Sequence, residues 1–213
     1  MVEILSVIPA VVIGISLHEY AHAKMAIKLG DNTPKLQGRD TINPISHIDI
    51  LGFICLMIAH FGWGKPVQID IRNFKKPLRD QMLVSLAGPV MNLIVAFVTL
   101  IIMNILMLTG ALMALPTNLS YVLETIITYI ILINISLCIF NLLPLPNFDG
   151  SKILLYFLPL KAKINFLKLE KYGFIIFLII VITPIPEYVI TPILNYVLSG
   201  MQFLIGLVIG IFI

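Results

Sequence analysis

The first apolar run of the chain, residues 2 to about 29, contains two metal-ligand side chains and a carboxylate close together: His18, Glu19 and His22. A helix that crosses a bilayer needs about 20 consecutive, mostly apolar residues, and this run is long enough. Ionisable groups inside such a helix are energetically costly and usually belong to a functional site. The run therefore predicts a membrane-spanning helix that carries such a site.

The composition indicates a membrane protein along the whole chain. Hydrophobic residues make up 59% of the 213 residues and charged residues only 12%, against about 45–50% and 25% in soluble domains. The apolar stretches are continuous rather than alternating, which favours helices. We expect an all-α polytopic membrane protein in the lipid bilayer. Nucleic-acid binding is not expected, because no basic face interleaved with aromatic residues is present.

The apolar runs predict a three-span core within residues 1–150. The expected spans are residues 2–29, 78–109 and 121–143. The run at about 50–61 is too short to cross a bilayer and is flanked by basic loops, so it predicts a re-entrant element. Residues 151–213 are expected to add C-terminal helices to the same membrane domain.

The basic residues indicate which side of the membrane carries the polar motifs. All 14 lysines and arginines fall in residues 24–39, 65–79 and 152–171. Basic loops remain on the cytoplasmic side, so all three segments are expected there. By the same reasoning, the end of the first span with His18 and His22 and the segment after the third span, with Asp149, are expected at a similar depth on the same side of the membrane.

The residues of the first span have the spacing of a zinc site. His18 and His22 are four residues apart and share one helix face. Glu19 lies about 100° around the helix, where it suits a general base better than a third ligand. Two histidines leave a catalytic zinc one protein ligand short. Asp149 is the best candidate, although a cap for the helix that follows it is the alternative.

Three motifs resemble those of the site-2 protease family of intramembrane zinc metalloproteases. They are His-Glu-Tyr-Ala-His at 18–22, Ser-Leu-Ala-Gly-Pro-Val-Met-Asn at 85–92 and Asn-x-x-Pro-x-Pro-x-x-Asp-Gly at 141–150. The Gly-Trp-Gly-Lys-Pro-Val segment at 62–67 resembles the small bacterial branch that lacks PDZ and CBS domains.

The resemblance implies residue roles, a location and a class of substrate. It implies one Zn²⁺ per chain with His18, His22 and Asp149 as ligands, Glu19 as the catalytic base, and Asn141 as a residue that positions substrate or stabilises the oxyanion. The implied location is the bacterial cell membrane, with the active site towards the cytoplasm. The implied substrates are single-span membrane proteins or signal-peptide remnants.

Other residues of the region allow two interpretations each. Val67, Ile69 and Ile71 alternate with polar residues and predict a strand, paired with a second one near residues 35–42. Its edge could capture an unwound substrate by β-addition, or the hairpin could simply cover the re-entrant element. Asn92 could face the substrate cavity or form an interhelical hydrogen bond. His60 is a candidate gating group.

The main alternative function is a non-proteolytic membrane protein that transports or binds a divalent metal. Such a protein would need polar residues along a path to both membrane surfaces. Outside the motifs, the outer halves of the predicted spans are nearly all apolar, which argues against a pore.

Overall fold

The structure is a computed structural model that describes residues 2–59 and 62–209, with side chains for residues 5–55 and 62–208. This part of the chain is built from α-helices joined by loops and 3₁₀ turns. The helices are α1 (Val2–Leu29), α2 (Thr33–Leu36), α3 (Ile50–Ala59), α4 (Pro77–Leu108), α5 (Thr117–Leu142), α6 (Asp149–Phe157), α7 (Leu160–Leu167), α8 (Gly173–Ile182) and α9 (Ile185–Ile209).

Four of these helices are long and apolar enough to cross a membrane. Within the described residues they are Leu5–Leu29, Pro77–Leu108, Thr117–Leu142 and Ile185–Val208. The helix bounds of α1, α4 and α5 lie within four residues of the spans expected from hydropathy. The fourth, α9, begins after Thr183-Pro184, where the sequence interrupts the C-terminal apolar run.

Helices α1, α4 and α5 pack against one another, and α9 packs on α5. A buried apolar cluster joins α4, α5 and α9, with Ala96, Leu100, Ile135 and Met201 among its members. Large apolar side chains on the outward faces of α4 and α9 remain exposed, as expected for helices surrounded by lipid. The three-helix contact between α1, α4 and α5 positions the polar residues described below.

The ends of the core helices follow local rules. Helix α1 ends at Leu29, and Gly30 takes a φ of +112°, a value that suits glycine. Helix α4 starts at Pro77, a residue favoured in the first turn, and the Asp80 carboxylate accepts a hydrogen bond from the Lys76 N–H at 2.9 Å. Helix α5 ends at Leu142, two residues before Pro144.

The predicted hairpin within residues 33–74 is wrong. Helix α2 occupies part of its first strand, and an isolated antiparallel bridge, Ile48 to Gly64, is the only β-pairing among the described residues. In the segment expected to form the second strand, near residues 67–71, backbone N–H groups donate to carboxylates instead of to a partner strand. The Val67 N–H donates to Glu19 and the Asp70 N–H donates to Asp31, each at 2.8 Å.

Helix α3 lies in a loop of the chain, residues 48–64, whose two ends are hydrogen-bonded to each other. The Ile48–Gly64 bridge and a hydrogen bond from the Lys65 N–H to the His47 carbonyl, 2.7 Å long, bring both ends of the loop to one point of the bundle. The ten residues of α3 would extend about 15 Å, too little to cross a bilayer. A re-entrant position in the membrane stays a prediction, and His60 lies outside the described residues.

Candidate metal centre

Two imidazoles and one carboxylate converge where α1 meets the start of α6. The Asp149 Oδ2 atom lies 3.1 Å from His18 Nε2 and 3.2 Å from His22 Nε2, and the two Nε2 atoms are 2.9 Å apart. Both histidines are buried. Asp149 is the first residue of α6, after the N-cap residue Phe148, and its carboxylate lies against the two histidines. The capping alternative is therefore not what the structure shows.

One face of α4 packs against the two imidazoles and accepts hydrogen bonds from their Nδ1 atoms. Val84, Gly88 and Asn92 lie on successive turns of that face. The Val84 carbonyl lies 2.7 Å from His22 Nδ1, and the Asn92 Oδ1 atom lies 2.6 Å from His18 Nδ1. Since both partners are acceptor oxygens, each Nδ1 must carry the proton, and each Nε2 presents a lone pair to the centre.

The centre fits a cation. Two lone pairs and an anionic oxygen point at one another, and these ligand atoms lie within 4.8 Å of one another. The buried Asp149 Oδ2 accepts no hydrogen bond within the described part of the chain. Neighbouring acceptors with no donor between them repel, unless a positive ion joins them. Two imidazoles and a carboxylate are also a ligand set that zinc takes in catalytic sites.

The electrostatics of Asp149 agree with this arrangement. Burial by itself raises the pKa of the Asp149 carboxyl, but the His22 and His18 rings beside it have the larger combined effect and lower the pKa to about 2. A positive charge at the imidazoles, whether a proton or a metal ion, thus keeps the carboxylate ionised.

Glycines allow backbone to approach the centre closely. A Cβ atom on Gly88 would lie 2.5 Å from His18 Cε1 and 2.6 Å from His22 Cε1, so the imidazoles occupy the space a side chain would fill. A Cβ atom on Gly150 would lie 2.3 Å from the Leu143 carbonyl oxygen. Gly150 therefore lets α6 start against the end of α5, which directs Asp149 at the histidines.

A cavity of about 520 Å³ opens beside the centre. Its polar wall includes His18, Glu19 and Asn141, and much of the rest is aromatic. The Glu19 Oε2 atom accepts the Val67 N–H bond, and the Asn141 amide donates to the Leu137 carbonyl at 2.9 Å. The aromatic lining is contributed by Trp63, Phe140, Phe148, Phe174 and Phe177.

The other expected substrate contacts, Asn92, Val67, Ile69 and Ile71, are not among the residues that line this cavity in the described part of the chain. Asn92 is fully buried and hydrogen-bonded between helices, which matches the second of its two interpretations. Ile69 packs on the cluster of Ala26, Phe74 and Val84, and Ile71 lies in a 3₁₀ turn. Val67 is joined to a residue of the cavity wall by its backbone, because its N–H donates to Glu19.

Sequence reasoning missed Asn134. This residue of α5 is fully buried, and its Oδ1 atom accepts a hydrogen bond from the Asn92 amide at 2.9 Å. The available signal was an asparagine in the interior of an apolar span, seven residues before Asn141 and therefore on the same helix face. Intramembrane polar residues of this kind usually face the bundle interior.

Fold and site together define the class: a multi-pass membrane protein with a buried candidate metal centre of two histidines and an aspartate. The chain belongs to peptidase family M50, the site-2 protease family, because the profile described as "Peptidase family M50" matches residues 6–184. The chain is thus a membrane metalloprotease by family, and membership is consistent with Zn²⁺ at the three ligands.

Relatives of known sequence agree with the family. The chain is 41% identical to the "Putative zinc metalloprotease YwhC" of Bacillus subtilis over 184 residues, which cover 86% of this chain and 83% of the relative. It is 29% identical to the "Putative zinc metalloprotease Rip2" of Mycolicibacterium smegmatis, over 84% of this chain and 67% of that protein. No solved structure matches the chain.

Proposed function

We propose that this chain is a zinc-dependent intramembrane endopeptidase that cleaves transmembrane segments of single-span membrane proteins or signal-peptide remnants near the cytoplasmic side of a bacterial plasma membrane. In this proposal His18, His22 and Asp149 hold the zinc, and Glu19 is the catalytic base. The observation that carries the proposal is the position of Glu19: it lines the same cavity as His18, one of the three clustered candidate ligands, and we propose that an extended peptide binds in this cavity.

A bound zinc would supply a Lewis acid that acidifies water and polarises the scissile carbonyl. Glu19 accepts the proton of the attacking water and passes it to the leaving amine. The Val67 N–H holds one oxygen of the Glu19 carboxylate and so fixes the direction of the other. Asn141 uses one amide N–H within α5; a primary amide has two, so the second can donate to a substrate carbonyl.

The substrate must be unwound before cleavage, because the carbonyls of a helix are already hydrogen-bonded and shielded. The cavity walls support an extended peptide that lies between the segment Gly62–Pro66 and α5, with apolar side chains against the aromatic lining. An aromatic wall suits side chains that leave the lipid phase. We therefore propose that substrate contact centres on Gly62–Pro66, rather than on a strand at residues 67–71.

The placement towards the cytoplasm is supported by the positions of charge along the helices. Lys24 and Lys28 lie within seven residues of His22 on α1, and the basic segments 65–79 and 152–171 join the same end of the bundle. The loop between α4 and α5, at the other end, has no charged residue between 109 and 116. Basic loops remain on the cytoplasmic side, and the relatives compared above are bacterial.

The test is co-expression, and then reconstitution in liposomes, with candidate single-span peptides, comparing the native protein with Glu19→Gln. We expect the variant to keep its zinc and its thermal stability, and to lose cleavage by about 10²–10⁴-fold, the usual contribution of a general base. Efficient cleavage by Glu19→Gln would refute the assignment of the base. Zinc flux across the liposomes without any cleavage would instead support the transport alternative.

A further inference from the structure

We infer that Asn134, a residue of α5 whose hydrogen bonds go to Asn92 and the Ile130 carbonyl rather than to a metal ligand, is a positioning residue for the metal centre that acts through Asn92 on His18. The inference rests on the proposed metal site, but not on proteolysis, because its readouts are metal affinity and the proton position on one imidazole.

The three side chains form a directed chain of hydrogen bonds through the bundle. Asn134 Nδ2 donates to the Ile130 carbonyl at 2.8 Å, and Asn134 Oδ1 accepts from Asn92 Nδ2 at 2.9 Å. Asn92 Oδ1 in turn accepts from His18 Nδ1 at 2.6 Å. Asn134 and Asn92 are both fully buried, so no solvent replaces a partner that is lost.

These hydrogen bonds fix the orientation of the Asn92 amide. Both of its N–H groups point at oxygens, the Gly14 carbonyl at 3.0 Å and Asn134 Oδ1. A rotation of the amide by 180° would turn its oxygen towards those two oxygens and its N–H towards His18. Asn134 itself cannot offer an N–H in that direction while its own amide donates to Ile130, so the native orientation is the one that satisfies every group.

The orientation of Asn92 sets the tautomer of His18. While the Asn92 oxygen faces Nδ1, the proton stays on Nδ1 and Nε2 keeps the lone pair that a metal needs. If the amide rotates, its N–H requires an acceptor at Nδ1, and the proton moves to Nε2, where it blocks coordination. Asn134 therefore contributes to metal affinity from outside the ligand set, and α5 is linked to a ligand on α1.

A simpler role for Asn134 would be to hold α4 and α5 together by an interhelical hydrogen bond. That role predicts lower thermal stability with no change in the tautomer of His18. The positioning role predicts that metal affinity and tautomer change together, and that they depend on an acceptor oxygen at position 134.

The experiment compares four full-length proteins in detergent: native, Asn134→Leu, Asn134→Asp and Asn104→Leu. The Asp variant keeps the acceptor oxygen, since a buried carboxyl stays protonated and can also donate to Ile130. Asn104 is the matched control, because its amide makes the same bond four residues back, to Leu100 at 2.8 Å, on α4. Zinc affinity is measured by competition with a chromophoric chelator, and the tautomer by ¹⁵N NMR of metal-free protein labelled at its four histidines.

We expect Asn134→Leu to bind zinc about 10- to 100-fold more weakly, the range typical of outer hydrogen-bond partners of metal ligands, with an Nε2–H signal appearing for His18. Asn134→Asp should recover most of the affinity, and Asn104→Leu should match the native protein. Zinc affinity within twofold of native in Asn134→Leu, or no recovery in Asn134→Asp, would overturn the inference. Should Asn134→Leu fail to fold, Asn134→Ser is compared with Asn134→Asp by the same criteria. A native protein that binds zinc but cleaves no peptide would contradict the proposed function and leave this inference standing.

Discussion

Replacement of Gly88 by alanine tests how closely α4 supports the metal ligands. The added Cβ atom would lie 2.5 Å from His18 Cε1 and 2.6 Å from both His18 Nε2 and His22 Cε1. An ordinary contact is 3.4 Å or more, so a ring must move by about 0.9 Å (3.4 − 2.5). Zinc sites tolerate about 0.2 Å in ligand distance. One imidazole therefore leaves the ligand set or loses its Nδ1 hydrogen bond.

We expect Gly88→Ala to bind zinc at least 10- to 100-fold more weakly, equal to about 1.4–2.8 kcal/mol of binding free energy. The assay is zinc content after dialysis against buffered zinc, together with thermal melting in detergent with and without chelator. Gly200→Ala on α9 is the matched control, because nothing lies within 4 Å of its added Cβ atom. If Gly88→Ala retained native zinc affinity, the close support of the imidazoles by α4 would be refuted.

Three further perturbations follow from the structure. Val67→Pro removes the N–H that holds the Glu19 carboxylate and should lower kcat by about 10- to 100-fold without loss of zinc. Val67→Ala keeps the N–H and should have a kcat close to that of the native protein. An equal effect of the two substitutions on kcat would contradict the role of the N–H. Burial alone would raise the pKa of the Asp31 carboxyl, but four hydrogen bonds lower this pKa below its ordinary value. The contribution of the Asp31 carboxylate to stability is therefore complete above the unfolded pKa of about 3.9 and is lost as pH falls through the lower folded pKa. Asp31→Asn should accordingly speed hydrogen exchange of residues 62–74 at pH 7, with the difference from native protein shrinking at acid pH; no difference at pH 7 would count against it. Gly150→Ala would place a Cβ atom 2.3 and 2.4 Å from two backbone carbonyl oxygens, which should displace Asp149 and empty the site of zinc, and full zinc occupancy would disprove that.

Two rules that need no knowledge of packing brought the candidate ligands together in the sequence. The spacing of His18 and His22 places them on one helix face whatever surrounds the helix. Charge distribution put the segment with Asp149 at the same side and depth without any knowledge of packing. The bounds of α1, α4 and α5 followed from hydropathy, since only long apolar helices satisfy their backbone inside lipid.

The region between α1 and α4 was not predictable in the same way. The alternation of Val67, Ile69 and Ile71 with polar residues is a valid strand pattern, but a strand also needs a partner strand. Here the backbone N–H groups of residues 67 and 70 donate instead to the carboxylates of Glu19 and Asp31. The role of Asn134 was equally hidden, because it depends on which of two identical-looking amide orientations the packing of α1, α4 and α5 selects.

X-ray absorption at the zinc edge of the purified protein tests whether two imidazoles and one carboxylate from α1 and α6 hold a zinc ion. We expect one zinc per chain with nitrogen and oxygen ligands at about 2.0–2.2 Å, two of them imidazoles, and no sulfur. Asp149→Ala should remove the carboxylate oxygen from this shell or empty the site. A sulfur ligand at about 2.3 Å would have to come from Cys55, Cys138 or a methionine thioether, and it would refute the proposed ligand set. An unchanged coordination shell in Asp149→Ala would also refute it.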